Sequence, residues 1–107
     1  MWVRSAFWIG RPRPGQDEAF QTAIDNELVP GLTALPFVNG ARSLWPRRLE
    51  DNPPGIWCQI IVEFASQEAV DGMLASPGRA ALRTRVREIA GIFDGAISHI
   101  DYEVGAS

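Results

Sequence analysis

Lysine is absent from these 107 residues, and cysteine and histidine occur once each, as Cys58 and His99. Without lysine there is no Schiff-base chemistry and no P-loop lysine; all ten basic residues are arginine, a bias that a genome rich in G and C explains. A single cysteine excludes an internal disulfide and any cysteine cluster for zinc. On the apolar side of a strand, Cys58 reads as a buried, inert thiol rather than a nucleophile. One histidine leaves a metal or haem site dependent on carboxylates or water, so neither a metal nor a cofactor is expected. No apolar run approaches the roughly 20 residues that span a bilayer. No charged-then-apolar leader precedes the first strand, so a soluble cytoplasmic protein is expected, with no membrane partner. The net charge of −3 argues against nucleic acid. G-x-G-x-x-G, G-x-S-x-G and H-E-x-x-H are all missing, which removes nucleotide, serine-hydrolase and zinc-protease chemistry.

What remains is an ordinary globular composition, 46% hydrophobic, with four tryptophans in a chain of one-domain size. Residues 1–107 are read as one domain. Trp2–Ile9 forms a first strand that ends at Gly10, and the Pro-rich stretch from Arg11 to Gly15 makes a stiff loop. Asp17 and Glu18 favour a helix start, and Phe20, Ile24 and Leu28 make one apolar stripe that Pro36 ends. Ala41–Trp45 is a short strand stopped by Pro46, which marks an edge. The segment Ile56–Phe64 is the strongest strand. Ser66 caps a second helix, Ser76-Pro77-Gly78 interrupts it, and a stripe of Leu82, Val86, Ile89 and Phe93 carries it to Gly95. Ala96–Val104 is the last strand.

This β-α-β-β-α-β order predicts a ferredoxin-like α+β fold, a four-stranded antiparallel sheet with helices on one face. The apolar set Ile56, Cys58, Ile60, Val62 and Phe64 is expected under the helices. The bare face is expected to carry Trp2, Arg4, Ala6, Trp8, Trp57, Gln59, Ile61, Glu63, Ile97, His99 and Asp101. Three tryptophans left in water would form a large adhesive patch, so a twofold sheet-on-sheet homodimer is predicted.

The chain resembles the EthD-like proteins of the dimeric α+β barrel superfamily. The resemblance rests on Asp17-Glu18-Ala19-Phe20, on Asn26-Glu27-Leu28-Val29-Pro30 followed by Leu35-Pro36, and on Leu74-Ala75-Ser76-Pro77-Gly78-Arg79. In EthD-like sequences a phenylalanine near the helix start is followed eight residues later by His-x-Pro; here that position reads Leu28-Val29-Pro30, with leucine in place of the histidine. The resemblance implies two sheets closing into a barrel and a small-molecule pocket between sheet and helices. It also implies relatives among cofactor-independent monooxygenases, haem-degrading enzymes and muconolactone-type isomerases.

Candidates for chemistry are few. His99 shares a strand face with Asp101, which suits a general base oriented by a carboxylate or, as the blander reading, a polar network at the interface. Tyr102 can donate to a ligand oxygen or to a backbone carbonyl. Trp8, Trp45 and Trp57 suit an aromatic pocket or simple packing. Small Ser98 beside large Phe64 leaves room for a ligand, with Leu28 at the family's histidine position. Arg79, Arg83, Arg85 and Arg87 read as a solvated surface. The expected function is binding of a small apolar or aromatic metabolite with cofactor-free oxidation or isomerisation. The alternative is a non-catalytic binding or accessory module of the same fold.

Overall fold

The computed structural model of the protein describes residues 1–106. Its strands are β1 (Trp2–Pro12), β2 (Gly40–Leu44), β3 (Ile56–Phe64) and β4 (Phe93–Glu103). Its α-helices are α1 (Asp17–Ala23), α2 (Val29–Thr33), α3 (Gln67–Leu74) and α4 (Pro77–Ala90), with a π-helical turn, Ile24–Leu28, joining the first two. The sheet is antiparallel in the order β2-β3-β1-β4, with the helices layered on one face. That is the ferredoxin-like arrangement expected from the order of elements. The expected barrel is not present. β2 and β4 are unpaired edges at opposite ends, so the sheet is open, and four strands with no β2–β4 pairing cannot close on themselves.

Local chemistry explains most boundaries. Ser66 and Ser76 cap α3 and α4 by accepting from the backbone N–H of Ala69 and Arg79. The π turn has its cause in Pro30, which has no N–H and whose ring would crowd the carbonyl four residues back. The ladder widens instead, and the Val29 N–H reaches the Ile24 carbonyl, five residues away. At the other end α4 stops at Ala90 rather than running on to Phe93, and β4 begins at Phe93. Gly10 and Gly95 face each other across the β1–β4 ladder with φ of 131° and 155°, and a Cβ on either would strike the opposite backbone within 2.2 Å.

Register corrects the expected faces. Trp8 pairs with Cys58, Ala6 with Ile60 and Arg4 with Val62; on the other side Trp8 pairs with Ile97, Ala6 with His99 and Arg4 with Asp101. Directly paired residues share a face. Trp2, Arg4, Ala6, Trp8, Ile97, His99 and Asp101 therefore lie beneath the helices with Cys58, Ile60, Val62 and Phe64, not on the bare side. The open face instead carries Val3, Ser5, Phe7 and Ile9 of β1, Gln59, Ile61 and Glu63 of β3, and Ala96, Ser98, Ile100 and Tyr102 of β4. A bulge opposite Trp8 and Ile9 leaves Trp57 as the extra residue and turns Ile56, expected under the helices, to the open face opposite Ile9.

The core centres on Trp8, Phe20 and Phe93. Trp8 meets both phenylalanines edge to face at 5.1 and 5.2 Å, and the two phenylalanines stack at 5.1 Å. Among the described residues the Trp8 indole N–H is buried without a hydrogen-bond acceptor. Among the described residues no helix is long and apolar enough to cross a membrane.

Candidate functional site: a cavity between sheet and helices

A cavity of about 340 Å³ opens between the covered face of the sheet and α2, α3 and α4. Its volume falls at the lower end of the range for small-molecule pockets, roughly 300–1,000 Å³. The strand wall is Ala6, Trp8, Ile60, Val62 and Ile97; Leu28, Leu32, Met73, Leu82 and Val86 supply the helical wall. Small Ala6, at the centre of the sheet, leaves the room that its larger neighbours enclose. The π turn positions Leu28 here, on the first helical layer, where a buried leucine contributes shape and no proton transfer.

Polar groups gather on one side of the cavity. His99 and Arg4 come from β4 and β1, paired across the ladder with Ala6 and Asp101, and Arg79, Arg83 and Arg87 come from α4. Arg4 Nη1 donates to Asp101 Oδ1 at 2.9 Å, which fixes that guanidinium over the β1–β4 ladder. The imidazole of His99 is pushed below its ordinary 6.5, first by partial burial and then by Arg4 and Arg79; Asp101 opposes this, and Arg83 adds to it. At neutral pH His99 is therefore uncharged and able to accept a proton. Arg79 is held below the ordinary arginine value by partial burial, then by Arg83 and Arg4, a sign of cations crowded together.

The sequence candidates separate in space. Trp8, Leu28 and His99 line the cavity together. Phe64 is fully buried in the neighbouring core. Ser98 and Tyr102 alternate with His99 along β4 and therefore stand on the open face. Trp45 and Trp57 border a different groove of about 390 Å³, with Asp17, Glu18 and Arg47. There the Trp45 indole N–H donates to Asp25 Oδ1 at 3.2 Å, and Ser43 Oγ donates to the same oxygen at 2.6 Å. The second groove is lined mostly by exposed residues, three of them charged, and lacks the apolar wall of the first cavity, which is the better ligand site. Cys58 is fully buried, and burial, then Asp25, pushes its thiol up to about 12, which leaves it no nucleophilic role.

Arg79, Arg83 and Arg87, read from the sequence as a solvated surface, border the cavity, with Arg83 and Arg87 still exposed. Positions 79, 83 and 87 are four apart, which puts them on one helical stripe with the cavity-facing Leu82 and Val86. Arg85 alone lies outside the cavity, bridged to Glu27 and to Glu88. The four-residue spacing was the available signal.

No family model matches the chain, and no curated protein matches it. Solved structures do. An ethyl tert-butyl ether d (EthD) family protein from Bacillus halodurans superposes with a TM-score of 0.78 at 12% identity, covering 98% of this chain and 99% of its own. A dimeric ferredoxin-like protein of unknown function from Jannaschia sp. gives 0.67 at 18% identity, over 97% of this chain and all of its own. An antibiotic biosynthesis monooxygenase gives 0.66 at 16%, over 99% of this chain and all of its own. At these identities the similarity establishes the ferredoxin-like α+β fold.

Proposed function

We propose that the protein is an EthD-like, small-molecule-binding homodimer that holds an apolar or aromatic metabolite between sheet and helices, with His99 as its one general base. The observation that carries this is the cavity, apolar on most of its wall and polar on one side, with an uncharged imidazole beside the cations. Such a site suits a substrate that carries its own reactivity. His99 takes a proton from a carbon next to a carbonyl, the guanidinium groups stabilise the enolate, and return of the proton to a different carbon completes an isomerisation. In an oxidation the same carbanion gives one electron to dioxygen, the radical pair recombines to form a C–O bond, and the abstracted proton completes a hydroperoxide. No cofactor enters either route. The EthD family protein and the monooxygenase that share the fold support this class.

The dimer is supported by the open face. Phe7, Ile61, Leu44, Ile100 and Tyr102 leave apolar surface exposed or half-exposed across all four strands. A second copy is the economical cover for it, and a ferredoxin-like relative is itself a dimer.

One observation favours a non-catalytic binding module as the second reading: Leu28 fills the place of the family's histidine, and Tyr102 lies across the sheet from His99. Titration with 1-methylnaphthalene, followed by tryptophan fluorescence, tests the binding. Saturable binding that disappears in a folded Ala6→Phe or Leu28→Trp variant is expected; binding unchanged in both overturns the assignment of the cavity. For catalysis, turnover of an enolisable ketone should fall at least 100-fold in a folded His99→Ala protein. Equal turnover removes His99 from the chemistry.

A further inference from the structure

Resting on the binding reading above, we infer that the ligand of this cavity is a carboxylic acid with an apolar body, its carboxylate seated on the arginine stripe of α4. Arg79, Arg83 and Arg87 line the cavity, and among the described residues none of them has a carboxylate within salt-bridge distance. The fourth guanidinium, Arg4, is the only one there with an acidic partner, Asp101. Three positive charges are thus left uncompensated at one cavity, in a chain whose net charge is −3. Of the arginines elsewhere, Arg42, Arg48 and Arg85 each hold a glutamate, while Arg11, Arg13 and Arg47 hold none among the described residues; what sets Arg79, Arg83 and Arg87 apart is that all three border one apolar cavity.

Guanidinium groups match a carboxylate because the planar fork donates two parallel hydrogen bonds. The opposite wall gives the acid's body an apolar seat against Trp8, Leu28 and Ile97. An amphiphilic anion satisfies both halves at once, whereas a neutral hydrocarbon leaves the cations unpaired. The proton affinities of Arg79 and His99 are lowered first by partial burial and then by the neighbouring guanidinium groups.

The test compares 1-naphthoate with the isosteric, neutral 1-naphthamide by isothermal titration, using 1-methylnaphthalene as the purely apolar reference. The wild type should bind the acid at least 10-fold more tightly than the amide, and added salt should erode only that advantage. Arg83→Met combined with Arg87→Met should bring the acid down to the affinity of the amide and leave the amide unchanged. If the double variant does not fold, Arg87→Met alone, at an exposed position, should remove a measurable share of the same advantage. An amide that binds as well as the acid, or an advantage that survives these substitutions, overturns the carboxylate assignment while the cavity reading stands. Failure of 1-methylnaphthalene and both naphthalene derivatives to bind overturns the cavity reading and this inference with it.

Discussion

The two faces of this sheet are built from the same strands and have opposite fates. Beneath the helices, Trp8, Ile60, Phe64 and Cys58 are sealed; a mainly cationic corner gathers around His99, and Ser43 pairs with Asp25 on the other side of the core. On the open side, Ile100 is 45% exposed and Tyr102 42% exposed, and the polar members satisfy one another: Gln59 Nε2 donates to Ser5 Oγ at 2.6 Å, and Arg42 bridges Glu63 at 2.9 Å. One face stabilises the fold and leaves a gap for a ligand. The other is apolar surface whose Gln59, Ser5, Arg42 and Glu63 are already paired, a composition suited to another protein surface rather than to a charged ligand.

The largest expected effect comes from breaking the covered face. Phe20→Ala removes the ring that touches Trp8, Trp45 and Phe93, and should cost about 3–5 kcal/mol in chemical denaturation. A charge on the other face should act on assembly. Ile100→Arg is expected to weaken the dimer by about 2 kcal/mol or more, about 30-fold by sedimentation, and to change the unfolding of the separated subunit by only about 0.5 kcal/mol. A variant that destabilises the isolated subunit as much as Phe20→Ala would erase the distinction between the faces.

Two titrations sharpen the comparison further. Cys58 keeps its proton in the folded protein up to about 12, while the unfolded thiol loses it near 9. Stability should therefore decline as pH rises from 9 towards 12, and this decline should shrink in Cys58→Ala when melting temperatures are compared at pH 8 and 10.5. His99 has the opposite sign. Its folded value lies below 6.5, so the unfolded chain binds the proton first as pH falls. Stability is full above 6.5 and is lost on acidification from 6.5 down to the folded value; His99→Asn should flatten that window. Proton NMR of this lone histidine should show its pKa rising in Arg79→Met and falling further in Asp101→Asn. The smallest effect belongs to the Arg4–Asp101 pair, which is partly exposed and should show a coupling of about 0.5–1 kcal/mol in a double-mutant cycle.

Much of the architecture was legible in the residues. β3 announced its buried side because Cys58, Ile60, Val62 and Phe64 are uniformly apolar, Ser66 marked a helix start by the chemistry of its hydroxyl, and Ser76-Pro77-Gly78 marked a break whose cap on α4 only the structure shows. Pro46 marked β2 as an edge. The faces of β1 and β4 were not legible in the same way. Both alternating sets of β1 mix apolar and polar residues: Trp2-Arg4-Ala6-Trp8 looks no more buried than Val3-Ser5-Phe7-Ile9. Alternation divides a strand into two sets without saying which one meets the helices, and pairing register decides that. The π turn was hidden for a related reason, since a proline inside a helix disturbs the ladder without fixing what form the disturbance takes. Arg79, Arg83 and Arg87 lay on one stripe by spacing alone, but a cationic stripe on a helix is solvated unless a cavity lies beside it.

By itself, the sequence determined the order of strands and helices, the helix start at Ser66, the buried side of β3 and the poverty of reactive groups. These depend on periodicity, side-chain chemistry and composition, which are local properties. Only the tertiary structure decided that the sheet stays open, that His99 and Arg4 lie under the helices, and that the α4 arginines share a cavity with them. Those outcomes depend on which strands pair and in what register, a choice made by contacts between residues as far apart as Arg4 and Asp101.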